Sequence, residues 1–193
     1  MNTVSSMDSF SDIEKNNLVN LVIESENLKI IPISSQYRED IFREFTTDIT
    51  KYMFPQAALD INETDRFIEK SRRDLDNKTQ FTIVILDKYT SEFMGGGGLH
   101  NIHTRTPEFG IWIKKGAHGN GHGKEAVFAL RAWADESLDY EYLLYPVVRE
   151  NTASRKIPEA MGGVIFREYC DCNALGEEQD TIEYRIYPHK KIS

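Results

Sequence analysis

PEFGIWIKKGAHGNGHGKEA, residues Pro107 to Ala126, decides how the rest of this chain is read. PEFGIWI has the aromatic and β-branched content of a strand, and KEAVFALRAWADESL, Lys124 to Leu138, is a strongly helix-prone segment with apolar residues at helical spacing. Between them His118, Gly119, Asn120, Gly121, His122 and Gly123 form a glycine loop that opens directly into the helix. Closely spaced glycines let a backbone approach an anion without Cβ clashes, and the unpaired N–H groups of a first helical turn point at it with a favourable dipole. A pyrophosphate suits such a nest. A Walker loop needs Ser or Thr after Gly-Lys, whereas Gly123-Lys124 is followed by Glu125. A Rossmann fingerprint belongs after the first strand of a parallel sheet, and this loop comes late in the chain.

Upstream, QFTIVIL (Gln80 to Leu86) and FMGGGGLHNI (Phe93 to Ile102) read as strands joined by hairpin-length linkers to one another and to PEFGIWI, an antiparallel meander. The run Gly95 to Gly98 predicts a bulge or close backbone packing, with room left for a substrate. Leu28 to Ile33 reads as a first strand after a turn at Glu26-Asn27. Tyr37, Ile41, Phe42, Phe45 and Ile49 predict one helix from Gln36 to Tyr52, and Asn62 is expected to cap a second that buries Phe67, Ile68 and Leu75. Downstream, YLLYPVV (Tyr142 to Val148) predicts a buried strand. Thr152 to Met161 predicts a helix stopped by Gly162-Gly163, short or kinked because of Pro158, and strands follow at Val164 to Tyr169 and Thr181 to Tyr187. Trp112 and Trp133 are read as core aromatics.

The order predicts a mixed α/β (α+β) layer architecture, with a mostly antiparallel sheet of about seven strands, about four helices and one βαβ crossover. Residues 1–18 form a polar extension in which Ser11 and Glu14 have capping-box spacing, and residues 19–193 form a single domain.

A formal net charge of -8 argues against non-specific nucleic-acid binding, which needs clustered cations, and weakly favours a cationic substrate. Cys170 and Cys172, the only cysteines, lie at i, i+2 without disulfide geometry and without neighbouring His or Cys to complete a metal site, so no metal is expected. No Lys or Arg precedes Lys15, no apolar segment of a secretory signal follows, and no apolar run reaches membrane-spanning length; a cytoplasmic protein is expected.

The loop His118-Gly-Asn-Gly121-His-Gly123 after PEFGIWI resembles the acetyl-CoA motif of the GNAT N-acetyltransferase superfamily, Gln/Arg-x-x-Gly-x-Gly/Ala, with His118 where the family usually has Gln or Arg. Asn151-Thr-Ala-Ser154 through Gly162-Gly163 is similar to the Asn-x-x-Ser…Gly segment of its ribosomal-protein N-terminal (alanine/serine) acetyltransferase branch. The likeness covers about residues 28–187. It implies a GNAT fold and direct acetyl transfer from acetyl-CoA to a primary amine, either a protein N-terminus or a small molecule, and a homodimer is common in that branch. It implies that the pantetheine arm lies along the backbone of Gly110, Ile111, Trp112 and Ile113, that His118 to Lys124 hold the pyrophosphate, that Asn151 bonds the arm, and that Ser154 near the thioester sulfur is general acid. An amide of the same strand, that of Ile111 or Trp112, would stabilise the oxyanion.

An amine protonated at neutral pH needs a base. Glu108 at the strand entry is the first choice, with His100 and Glu150 behind it. Each has an alternative reading: Glu108 as a solvated charge, His100 as a structural histidine, Ser154 as a first-turn helix residue bonded to backbone and Asn151 as an N-cap. The substrate pocket is expected from the two early helices and the loop Met53 to Asp60. A non-catalytic acyl-CoA-binding or sensing domain keeps the same loop and is separated from an enzyme only by turnover.

Overall fold

β3 (Gln80–Asp87) is buried on both faces from Phe81 to Leu86, where only Thr82 is polar, so it sits at the middle of the molecule and divides its core in two. The computed structural model describes residues 18–189; the expected polar extension and its capping box fall outside them but for Leu18. Around β3, β1 (Ile23–Glu24), β2 (Leu28–Pro32), β4 (Phe93–His100), β5 (Glu108–Ile113), β6 (Leu143–Val148), β7 (Val164–Cys172) and β8 (Glu178–Ile186) form one sheet in the order β1-β2-β3-β4-β5-β6-β8-β7. Every neighbouring pair is antiparallel except β5 and β6, which the crossover helix α4 (His122–Ser137) joins in parallel.

One face carries Leu28, Ile30, Phe81, Ile83, Ile85, Leu143, Tyr145 and Ile182 against α4 and α5 (Thr152–Ala160). Phe81 meets Trp133 of α4 with ring centroids 5.0 Å apart, so Trp133 is a core residue as expected. The smaller cluster on the other face joins Val84, Leu86 and Phe93 to Ile41 of α1 (Arg38–Glu44) and Ile68 of α3 (Ile61–Asp76). Alternation along β3 supplies both clusters from one strand.

The mixed architecture agrees with expectation, and several details correct it. The sheet has eight strands among the described residues, because the turn at Glu26-Asn27 closes a hairpin whose first arm, β1, is only two residues long. Five α-helices lie among the described residues. The segment expected to be one helix from Gln36 to Tyr52 is a 3₁₀ turn (Ser35–Tyr37), then α1, then α2 (Thr47–Thr50), interrupted where Phe45 leaves helical geometry at φ -83°, ψ 69°. Asp60, not Asn62, caps α3: its side chain accepts from the Asn62 N–H. β4 stops at His100 and the last strand starts at Glu178.

The four glycines of β4 do more than bulge it. A Cβ on Gly95, Gly97 or Gly98 would lie 2.2, 2.2 or 2.1 Å from the carbonyl oxygens of Trp112, Gly110 and Phe81 respectively, so the neighbouring strands pack closer than a side chain permits. A register shift does occur at Ile85/Leu86.

Candidate active site

β5 and β6 begin side by side and then part. Glu108 is the only β5 residue in register with β6, opposite Leu144, and the Leu144 N–H donates to the Pro107 carbonyl at 2.8 Å. On the other side the Lys114 N–H donates to the Met94 carbonyl of β4, also at 2.8 Å. Because main-chain groups alternate along a strand, these two bonds fix the directions between them: the N–H and C=O of Phe109, Ile111 and Ile113 face the gap beside β6, and those of Gly110 and Trp112 face β4. Of the four residues expected to bind through the backbone, Ile111 and Ile113 thus offer their main chain to the gap, whereas Gly110 faces β4. Trp112 turns its main chain away and its indole toward α1, with the Phe45 ring centroid at 4.9 Å.

The glycine loop stands at the wide end of this gap. Gly119 and Gly121 have φ of 82° and 80°, the left-handed region that glycine enters without strain. Gly121 is the N-cap of α4 and, having no side chain, leaves the first-turn N–H groups to the solvent side. Gly123 packs the helix start near the strand end and α5, since a Cβ there would lie 3.6 Å from Ile113 and 3.7 Å from Ile157. His118 fills its divergent position with a latch: Nε2 lies 2.7 Å from the Ile113 carbonyl, and since a carbonyl only accepts, Nε2 carries the proton. The Asn120 side-chain amide is 3.4 Å from the His118 carbonyl, Lys124 lies over the Phe128 ring, and Lys115 pairs with Asp48 of α2.

Across the gap, the Asn151 side chain accepts from the Ser154 N–H at 3.2 Å, so it caps α5. The Ser154 hydroxyl is 2.9 Å from the Tyr145 hydroxyl of β6. Burial pushes the Tyr145 phenol up to about 12, so it is a neutral hydroxyl that can donate to Ser154. Tyr145 was legible in the sequence only as a buried strand residue; nothing local ties it to a serine nine positions later. Gly162, at φ 74°, ends α5 as expected, and the Gly163 N–H returns to the Pro158 carbonyl at 2.8 Å.

On the opposite face of the sheet a cavity of about 260 Å³ lies between β3, β4 and β5 below and α1, α3 and the segment Met53 to Ala58 above, where a substrate pocket was expected. Gly96, Gly97 and Gly110 make its floor, Trp112 and Phe45 part of its wall, and Thr82, Gln80 and His100 much of its polarity. Glu108 is outside this lining. It stands directly across the ladder from His100, half-buried, with its carboxyl raised above the ordinary range by burial first and by the nearby Glu183 second. Glu183, itself buried, is held by two hydrogen bonds from Arg167. Glu150 is exposed in the turn after β6.

The sequence matches the family model of the acetyltransferase (GNAT) domain over residues 27–164. No curated protein matches the chain. Solved structures of similar fold include a GNAT-family acetyltransferase from Bacillus anthracis, 18% identical over 87% of this chain and 99% of that one, with a TM-score of 0.74. A spermidine N-acetyltransferase from Vibrio cholerae in complex with CoA and spermine is 17% identical over 88% of this chain and 100% of its own, with a TM-score of 0.76. The microcin C7 self-immunity acetyltransferase MccE, in complex with acetyl-CoA and AMP, is 19% identical over 84% and 93%, with a TM-score of 0.75. Identities this low speak to the fold, whereas the family match spans most of the chain: it belongs to the GNAT acetyltransferase family.

Proposed function

We propose that this chain is an N-acetyltransferase that moves an acetyl group from acetyl-CoA directly to a primary amine. The parting of β5 from β6 after Glu108 and Leu144 carries the reading, because it leaves both main-chain groups of Ile111 and the N–H of Ile113 along an open edge, with the Ile113 carbonyl held by His118. A pantetheine arm hydrogen-bonds to such an edge as an added strand would. The loop from His118 through Gly119, Asn120, Gly121, His122 and Gly123 to Lys124 then meets the pyrophosphate at the start of α4, through the left-handed glycines and first-turn N–H groups.

In this reading the acceptor amine occupies the cavity and attacks the thioester carbonyl from the Gly110 side. Glu108 is the base that takes the amine proton, directly or through water, and its raised pKa makes it a stronger proton acceptor than an ordinary carboxylate once ionised. The Ile111 N–H, which faces the gap, is the oxyanion donor. Ser154 protonates the departing thiolate and draws on the Tyr145 hydroxyl behind it, while Asn151 holds the start of α5 and the arm. At about 260 Å³ the cavity is slightly smaller than those that enclose drug-sized ligands, so it admits the amine-bearing end of a substrate rather than the whole of a large one. Both a protein N-terminus, as in the branch that Asn151 and Ser154 resemble, and a small linear amine meet that condition.

The test is thiol release from acetyl-CoA across a panel of N-terminal peptides, polyamines and aminoglycosides. Amine-dependent release with stoichiometric N-acetyl product supports the reading and ranks the substrates. Binding of acetyl-CoA with no release on any amine would make the chain an acyl-CoA-binding or sensing domain instead.

A further inference from the structure

His100 enters the cavity wall from the last position of β4, most of its ring removed from water. Its Nδ1 is 2.7 Å from Oε1 of Gln80, the residue opposite it on β3. An amide can be turned either way, but here a second bond decides: the Gln80 side-chain NH₂ donates to Asp74 at 3.1 Å, near the end of α3. Turning the amide would set its oxygen against the Asp74 carboxylate. That carboxylate is paired with Lys70 one helical turn earlier, at 2.6 Å. Oε1 therefore faces His100 and can only accept, so Nδ1 must carry the proton. The neutral ring then has its lone pair on Nε2.

Nε2 lies over Gly110, where a Cβ would come within 2.9 Å of it. Only a glycine leaves that nitrogen open to the cavity floor. Burial and the nearby Lys70 hold the ring below the usual imidazole range, against a smaller opposing pull from Asp74, so the neutral form prevails around neutral pH. Glu108 is the residue opposite His100 on β5.

We infer that His100 Nε2 is a fixed hydrogen-bond acceptor that seats an N–H of the acceptor amine in the cavity, and that Gln80 and Asp74 are positioning residues that hold it in that tautomer. The inference rests on the acetyl-transfer reading for the identity of the ligand, but not for the tautomer. It adds a selection rule: acceptors must present an N–H toward Gly110, so primary amines are seated and fully substituted ammonium groups are not.

Two readouts on the full chain test it. In ¹⁵N-histidine NMR, with His100 assigned by its loss in His100→Phe, the parent is expected to show Nδ1 protonated and Nε2 bare, and Gln80→Leu to move the proton to Nε2. A protonated Nε2 in the parent overturns the inference. In steady-state kinetics His100→Phe and Gln80→Leu are expected to raise KM for the amine about tenfold with a smaller change in kcat, the loss of one buried hydrogen bond. His100→Gln, which keeps an acceptor at that reach, should recover most of it. An unchanged KM in a well-folded His100→Phe protein also overturns it. Should no amine be acetylated, the transferase reading fails by itself, and the Nε2 signal still decides here: a shift on adding propylamine but not tetramethylammonium supports the seat, and no shift with either refutes it.

Discussion

Replacing Gly121 by alanine perturbs the proposed pyrophosphate loop without a collision. A Cβ at that position meets nothing within 4 Å, so the cost comes from the backbone alone, which sits at φ 80°. An L-residue in the left-handed region pays about 1–2 kcal/mol relative to glycine. If the loop keeps its conformation, the whole penalty falls on stability, a drop in Tm of roughly 2–8 °C for a domain of this size. If the loop relaxes instead, stability is partly spared and the nest of N–H groups is lost, which weakens acetyl-CoA binding by about fivefold to thirtyfold for the same free energy. Thermal denaturation and calorimetry on the same sample separate the two routes. Asparagine tolerates positive φ better, so Gly121→Asn should lie between the parent and Gly121→Ala. Gly116→Ala, with open space and no positive φ, should change neither quantity. The reasoning fails if Gly116→Ala costs as much as Gly121→Ala, or if Gly121→Ala alters neither Tm nor affinity.

Further expectations follow from other parts of the molecule. Ser154→Ala should lower the rate of acetyl transfer by about a hundredfold to ten-thousandfold with acetyl-CoA affinity retained, and Tyr145→Phe should act in the same direction because it removes the hydroxyl 2.9 Å from Ser154. Glu108 has a folded-state pKa above its unfolded one, so its contribution to stability is present below the unfolded pKa and lost as pH rises through the folded one. Melting Glu108→Gln beside the parent should therefore show the variant gaining relative stability from acidic to neutral pH; a constant difference would contradict the burial given for this carboxyl. Buried Arg131 donates to the Met161 and Tyr187 carbonyls, tying α4 to the end of α5 and to the chain just after β8. Arg131→Ala should cost about 3 kcal/mol in urea denaturation, the loss of two charge-assisted bonds with their carbonyls left bare.

What the sequence disclosed and what it hid divide by distance along the chain. The strand–glycine loop–helix unit is local: its glycines, helix formers and apolar spacing all lie within Pro107 to Leu138, and they forecast β5, the loop and α4 with an error of about two residues at the helix start. The Gly162-Gly163 stop and the Asn151 cap are equally local. Phe45 breaks a helix that its apolar spacing continues, and its ring packs on Trp112 of β5, a contact far along the chain. Asp60 outcompeted Asn62 as a cap, although both residue types serve and only three-dimensional geometry chooses. Tyr145 behind Ser154, and the chain from Asp74 through Gln80 to His100, are made by cross-strand register and helix docking, for which periodicity carries no signal. His100 was a weak candidate on sequence because a lone strand histidine is ordinarily structural; its partner Gln80 and bare neighbour Gly110 distinguish it in space.

Calorimetric titration of the full chain with acetyl-CoA, repeated in the presence of ATP and of NAD, tests the central claim most directly. The account predicts saturable binding at one site per chain, undisturbed by either nucleotide. No binding of acetyl-CoA, or its displacement by ATP or NAD, would contradict it.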